Sequence, residues 1–176
     1  KTFLDHLPAD LPLALVYAQH IDPGFEQQLP QVVGRHNAWQ IRTCEPEHRL
    51  SHGEVLVVPV EQRLRFSPEG RVQLSRETWP GLYQPAIAAV IDEVRQTFAP
   101  ACGAVVFSGM GEDGVDACSR MHNQGMPVWT QSADSAACAV MPEAVRAAGV
   151  SSLQGNPEQL ATAMRRWMEQ ESVAAL

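Results

Sequence analysis

The sequence predicts an α/β fold with parallel strands, helices between them and a small antiparallel hairpin. Three observations predict it. Short apolar runs recur along the chain, each followed by a turn. The run over 103–107 leads through a glycine-rich turn into a helical pattern and then a strand, which is a βαβ unit. Apolar residues that alternate with charged ones flank Ser67-Pro68-Glu69-Gly70, as in a two-stranded hairpin.

The individual elements follow from the same patterns. The predicted strands are 11–18, 39–43, 54–59, 63–66, 71–74, 103–107 and 126–130. The predicted helices are 1–7, 25–34, 85–98, 114–124, 141–149 and one that begins at 157. The run over 11–18 is nearly continuous, so we expect a strand buried on both faces. The hairpin is expected to be exposed. The last helix has a strong start signal, Asn156-Pro157-Glu158, which combines a cap residue, a proline and an acid.

Composition limits the class of protein. A length of 176 residues argues for one domain, and 45% hydrophobic residues allow a substantial core. A net charge of -7 without a basic cluster disfavours nucleic-acid binding. No apolar run is long enough to cross a bilayer, which disfavours membrane insertion. Since Cys44, Cys102, Cys118 and Cys138 form no C-x-x-C pair, buried thiols in a reducing cytoplasm are favoured over a zinc site or a disulfide.

Two motifs carry candidate chemistry. The glycine-rich turn over 107–114 contains Asp113, and the segment after the first apolar run contains His20. Loops at the carboxyl ends of parallel strands hold ligands and catalytic groups, so His20 and Asp113 should face one crevice. There, an aspartate can orient a histidine that takes the proton of a nucleophile. The simpler alternatives are that Asp113 caps the helix starting at Gly114 and that His20 is a structural residue.

Other features give weaker signals. His48 and His52 are four residues apart, a spacing that would suit a metal on a helix. They lie in a loop and no third ligand is evident, so solvated histidines are favoured, and no metal or other cofactor is expected. The glycine turn has neither P-loop nor dinucleotide-site spacing. An anion-binding module that uses this turn is therefore a weak alternative.

The motifs, taken in order, resemble a known family. The segments QHIDPGF (19–25), SGMGEDG (108–114) and MPEAV (141–145) are similar to QHMPPGF, TGMGxDG and MPxxA of the CheB-type chemotaxis protein-glutamate methylesterases. The likeness covers nearly the whole chain. The fold that it implies is α/β, with a doubly wound, mostly parallel sheet, helices on both faces and a small antiparallel hairpin, in agreement with the predicted elements. The likeness also implies a Ser-His-Asp hydrolase that removes glutamate γ-methyl esters from the cytoplasmic helices of methyl-accepting chemoreceptors in bacteria. Glutamine deamidation at the same positions is a second family activity.

The resemblance also implies roles for individual residues. His20 and Asp113 match the catalytic histidine and aspartate, and Met110, between Gly109 and Gly111, matches the loop that holds the oxyanion. The family serine lies in an S-x-G-G motif, which is absent from the 176 residues. We expect that serine shortly before the first residue, and any gating receiver domain further upstream. Residues 1–176 would then be a catalytic domain without its N-terminal segment. Ser108 fills a family threonine position and is not favoured as the nucleophile.

The chain departs from the family near the expected mouth of the site. The family has Arg-Pro-Ser-x-Asp before the central helix, whereas this chain has Gln84-Pro85-Ala86-Ile87-Ala88. A family Pro-Gly-Asp is here Pro59-Val60-Glu61, and Asp22 replaces a proline. Because polar groups at the mouth would contact substrate, the alternative is a catalytically inactive CheB-like binding module.

Overall fold

The computed structural model describes residues 1–174, with side chains to residue 170. Its strands are β1 (Leu15–Tyr17), β2 (Gln40–Thr43), β3 (Glu54–Val57), β4 (Arg63–Phe66), β5 (Val72–Ser75), β6 (Ala104–Val106), β7 (Val128–Gln131) and β8 (Leu153–Gly155). Its α-helices are α1 (Thr2–His6), α2 (Leu29–Val33), α3 (Ile87–Phe98), α4 (Val115–Asn123), α5 (Val140–Ala147) and α6 (Pro157–Ala174). Short 3₁₀ turns cover Phe25–Gln27 and Ala133–Ser135.

The parallel strands form two three-stranded sheets. One has the order β1-β3-β2 and the other β6-β7-β8, while β4 and β5 form an antiparallel pair. The predicted fold class is confirmed. Within residues 1–174, β1 and β6 each pair with a strand along one edge only. Leu15 and Tyr17 of β1 nevertheless pack into the same buried cluster as Val105 and Phe107 from the β6 side, so the two sheets share a core.

The helices cover the sheets through apolar faces. Phe3 of α1, Leu160 of α6 and Trp129 of β7 are buried in one hydrophobic cluster. On the other side, α3 packs on the hairpin, and α4 and α5 cover β6 and β7. The start of α6 is a capping box, because the Asn156 side chain accepts from the Gln159 N–H and the Gln159 side chain accepts from the Asn156 N–H, both at 2.9 Å. The predicted start of this helix is confirmed.

Three sequence-based expectations need correction. The strand in 11–18 is only three residues long and half-buried, because β3 lies along just one of its edges. The first hairpin strand has its predicted bounds, and the second lies one residue later than predicted, at Val72–Ser75. The hairpin is not simply exposed, since Leu64 and Val72 are buried against α3. Strand β8 was not predicted, because its three residues contain a single large apolar side chain.

His48 is also not a solvated loop residue. Its Nε2 lies 2.9 Å from Oε2 of the buried Glu54, whereas His52 is exposed. In the described part of the chain, no three or more His, Cys, Asp or Glu side chains are arranged as metal ligands. No helix among the same residues is both long and apolar enough to cross a membrane.

Candidate active site

His20 and Asp113 meet at the carboxyl edge of the two sheets. His20 follows β1, and Asp113 lies in the loop over 107–114 that follows β6, which we call the glycine loop. The His20 Nε2 atom is 3.1 Å from Asp113 Oδ2, and both side chains are largely shielded from solvent. Two residues that are far apart in sequence are thus joined by a hydrogen bond. This contact is the core of the candidate site.

Asp113 also anchors the start of a helix. Its Oδ2 accepts a hydrogen bond from the Ile87 N–H, the first residue of α3, at 2.5 Å. The first N–H groups of a helix have no partner within the helix, so an oxygen that accepts from one of them stabilises the helix start. The N-cap of α4 is Gly114, and α4 has no side-chain cap. The alternative that Asp113 caps α4 is therefore wrong; Asp113 serves α3 instead.

The orientation of the His20 ring defines which nitrogen is left for chemistry. A carboxylate can only accept, so Nε2–H is the donor to Asp113. In the neutral ring, Nδ1 then carries the lone pair. No hydrogen bond reaches that atom from the backbone of residues 1–174 or from the side chains of residues 1–170. The ring is therefore arranged to accept a proton at Nδ1 from a group on the side opposite Asp113.

Tyr83 lies against the same ring. The Tyr83 and His20 ring centroids are 4.7 Å apart and their planes differ by 12°, so the rings are stacked. Tyr83 belongs to the loop that leads into α3. Sequence reasoning missed it because a lone tyrosine in a loop carries no motif. The one available signal was its place just before Gln84-Pro85, in the segment expected to border the site.

The backbone N–H groups of the glycine loop differ in whether they are already hydrogen-bonded. The Gly109 N–H donates to the Cys138 carbonyl and the Gly109 carbonyl accepts from the Met141 N–H, both at 3.0 Å. The Gly109 N–H is therefore occupied. Met110, with 75% of its surface exposed, and Gly111 follow, and neither N–H has an acceptor in the described residues. Gly111 has φ +86°, a left-handed conformation that favours glycine.

Ser108 is held in place by hydrogen bonds to its neighbours. Its Oγ donates to Gln131 Oε1 at 3.2 Å and accepts from the Ala137 N–H at 3.0 Å. Gln131, a buried residue at the end of β7, also accepts from the Ser108 N–H at 2.9 Å. No hydrogen bond joins Ser108 to His20 among residues 1–174. The hydroxyl thus fixes the base of the glycine loop.

Comparison with known proteins places the chain in a family. The CheB methylesterase family matches residues 1–164. A protein-glutamate methylesterase/protein-glutamine glutaminase of Myxococcus xanthus is 29% identical over 148 residues, which is 84% of this chain and 42% of that protein. A protein of the same description from Anaeromyxobacter dehalogenans is 29% identical over 169 residues, covering 96% of this chain and 49% of its own length.

The chain thus spans about half the length, or less, of these relatives. Among solved structures, the CheB methylesterase catalytic domain of Thermotoga maritima superposes with a TM-score of 0.86 at 20% identity. The match covers 96% of this chain and 89% of that one, and it shows that the fold is shared. The chain belongs to the CheB methylesterase family.

Proposed function

We propose that this chain is the catalytic part of a protein-glutamate methylesterase, which hydrolyses glutamate γ-methyl esters by a Ser-His-Asp mechanism. The observation that carries the proposal is the hydrogen bond between His20 Nε2 and Asp113 Oδ2, 3.1 Å long, at the mouth of a CheB-type fold. A carboxylate that fixes one imidazole nitrogen leaves the other free to act as a general base. The names of the relatives give the substrate class.

Each group in the site then has a role in two half-reactions. His20 Nδ1 takes the proton from the serine hydroxyl while the serine oxygen attacks the ester carbonyl. The N–H groups of Met110 and Gly111 hold the oxyanion of the tetrahedral intermediate. Such a donor lowers the activation barrier by about 3 kcal/mol. Collapse breaks the ester bond, and His20 returns the proton to the leaving methanol. Water, activated in the same way, then releases the glutamate and regenerates the serine. With a glutamine substrate, ammonia leaves instead.

The serine would come from residues that precede Lys1 in the full-length protein. Two features support this assignment. Ser108 is already engaged with Gln131 and Ala137. In addition, β1 and β6 each have an edge with no partner strand in the described residues, while their side chains share one core. A parallel strand between them would end at the edge that holds His20 and Asp113.

The position of α1 supports the same arrangement. Phe3, in the first turn of α1, packs edge-on against Phe107 with ring centroids 5.2 Å apart. Phe107 is the first residue of the glycine loop, so the start of α1 lies beside the site. A strand that ran between β1 and β6 and turned into α1 would place its turn there. Strand-to-helix turns of this kind expose a nucleophile at the top of the sheet.

The partners follow from the substrate. The ester would lie on a cytoplasmic helix of a methyl-accepting chemoreceptor, so the protein would act in the cytoplasm. A receiver domain preceding the catalytic part would then control access through phosphorylation. With a net charge of -7, the chain gains no long-range attraction toward glutamate-rich helices. Local docking or tethering would have to bring the ester to the site.

Methanol release from methylated receptors by the full-length protein tests the mechanism. His20→Gln and Asp113→Asn should each lower kcat about a thousandfold or more, because the base or its orientation is lost. The exposed residues His52 and Asp10, which lie outside the site, provide matched controls of the same types. His52→Gln and Asp10→Asn should hydrolyse the ester at the parent rate. Parent activity in His20→Gln or in Asp113→Asn would refute the assignment of that residue.

The same assay tests the source of the nucleophile. Ser108→Ala should stay within about tenfold of the parent kcat, because this hydroxyl serves the loop. Replacing the serine of an S-x-G-G motif upstream of Lys1 should abolish turnover. The opposite pattern would assign the nucleophile to Ser108.

A binding module without catalysis is the second candidate. The observation that favours it is the changed mouth, where uncharged Ala86 and Ala88 occupy polar family positions. In that case the full-length protein should capture receptor helices and release no methanol, and capture should survive both His20→Gln and Asp113→Asn. Measurable turnover by the parent protein would exclude this candidate.

A further inference from the structure

The feature that carries a further inference is the stacked pair of Tyr83 and His20. Tyr83 lies in a loop that is anchored at both ends, since Trp79 and Ala86 are buried. The middle of the loop projects from this anchored frame, with Leu82 95% exposed and Tyr83 43% exposed. Tyr83 is therefore a partly exposed ring on a fixed base. Its buried face is the one that covers the imidazole.

The same side chain reaches the glycine loop. A Cβ atom placed on Gly111 would lie 3.2 Å from the Tyr83 hydroxyl oxygen and 3.5 Å from the ring carbon that bears it. Tyr83 therefore spans from the His20 ring to one of the two proposed oxyanion donors. A larger residue at position 111 would push against the tyrosine as well as straining the backbone at φ +86°.

The hydrogen bond to Asp113 does not fix the imidazole by itself. One hydrogen bond at Nε2 leaves the ring free to rock about that contact, and an imidazole that rocks directs Nδ1 away from a nucleophile. A parallel ring at 4.7 Å limits that motion, because tilting either ring brings atoms into collision. The face of a tyrosine ring also favours a nearby cation, and His20 becomes one when it accepts a proton.

We propose that Tyr83 is a positioning residue that holds the His20 ring in the plane where Nε2 faces Asp113 and Nδ1 faces the nucleophile. This inference rests on the proposed function. Tyr83 does not itself exchange a proton with substrate in this scheme. It acts through His20, so its loss should change the state of the imidazole as well as the rate.

Nitrogen NMR of the His20 ring in the full-length protein tests the proposal directly. The ring signals are assigned by their disappearance in His20→Gln. In the parent protein, Nε2 should show the shift of a protonated nitrogen and Nδ1 that of an unprotonated one. Tyr83→Ala should move both shifts toward their average, because the two tautomers then exchange. Tyr83→Phe, which keeps the ring, should recover the parent pattern. Leu82→Ala, a neighbouring exposed residue in the same loop, is the control.

Kinetics provide the second readout. Tyr83→Ala should lower kcat for ester hydrolysis about tenfold with KM within about twofold, since alignment is lost and substrate binding is kept. Tyr83→Phe should recover most of that loss. Unchanged nitrogen shifts in Tyr83→Ala would overturn the inference, including the case in which kcat falls, because the tyrosine would then act on substrate rather than through His20. Full turnover by His20→Gln would refute the proposed mechanism instead. The NMR comparison would still test whether Tyr83 positions the His20 ring.

Discussion

Among single residues outside the site, Glu54 is a buried carboxylate surrounded by donors. Its Oε2 accepts hydrogen bonds from His48 Nε2 and the Ser51 N–H, both at 2.9 Å, and Arg42 lies 3.3 Å from Oε1. Burial by itself raises the pKa of this carboxyl. The hydrogen bonds from His48 and Ser51, together with the charge of Arg42, outweigh burial and hold the pKa below its usual value.

This lowered pKa predicts a pH-dependent stability. The folded protein favours ionised Glu54, so the contribution is complete above the unfolded value near 4.5 and is lost as the pH falls through the lower folded value. Glu54→Gln should reduce the free energy of unfolding by about 2 kcal/mol at pH 7. The difference from the parent protein should shrink at pH 3.5. Urea unfolding of both proteins at pH 7 and pH 3.5 measures the difference in unfolding free energy. An equal difference at the two pH values would contradict the prediction.

Motif-bearing residues could be predicted from the sequence, and their contacts could not. His20 and Asp113 stand out because their segments follow apolar runs, and strand ends meet at one edge. The stack of Tyr83 on His20 depends on how two loops fold back, which no local pattern encodes. The same applies to Gly109, which the resemblance places in the oxyanion loop and whose N–H donates to the Cys138 carbonyl in the fold.

At the scale of secondary-structure elements, local sequence signals predict where helices begin. The capping box of Asn156 and Gln159 involves residues three apart, so the sequence alone contains it. Burial of an element depends instead on its partners. The hairpin alternates apolar and charged residues as an exposed ribbon does, and only the packing of α3 on its apolar face decides that Leu64 and Val72 are buried.

The cap of α6 gives a prediction about that helix. Asn156→Ala removes the acceptor for the Gln159 N–H and should destabilise the protein by about 1 kcal/mol, or roughly 3 °C in Tm for a domain of this size. Asn156→Asp keeps a side-chain oxygen at the same place and should melt close to the parent protein. Thermal unfolding followed by circular dichroism compares the three. If the alanine and aspartate variants melted together, the cap would contribute nothing.

At the scale of the whole molecule, the sequence predicted one sheet, and within residues 1–174 the parallel strands form two. The fold class depends on the order of elements along the chain, so it stays the same whether the parallel strands form one sheet or two. The continuity of a sheet depends on which strands lie side by side, and a periodic pattern does not encode neighbours. The half-buried state of β1 is the visible consequence, because it has a neighbour on one edge only.

Hydrogen exchange can test the proposed strand between β1 and β6. In a protein extended upstream of Lys1, amides of β1 and β6 should be protected about as well as those of β3 and β7, because both edges would then be paired. In residues 1–176 alone, amides of the two unpaired edges should exchange faster than those of β3 and β7. Mass spectrometry of peptides from both proteins measures this. Equal exchange of β1 and β6 in the two proteins would argue against an added strand.

The double attachment of Asp113 has a consequence for how such domains diverge. The same oxygen holds the His20 ring and caps the first turn of α3. A lineage that abandoned catalysis would still need the carboxylate for its helix, whereas nothing comparable would retain the imidazole. Decay of activity should therefore erase the histidine first. Among proteins that descend from such a domain, a retained aspartate is therefore weak evidence of activity, and a retained histidine is stronger evidence.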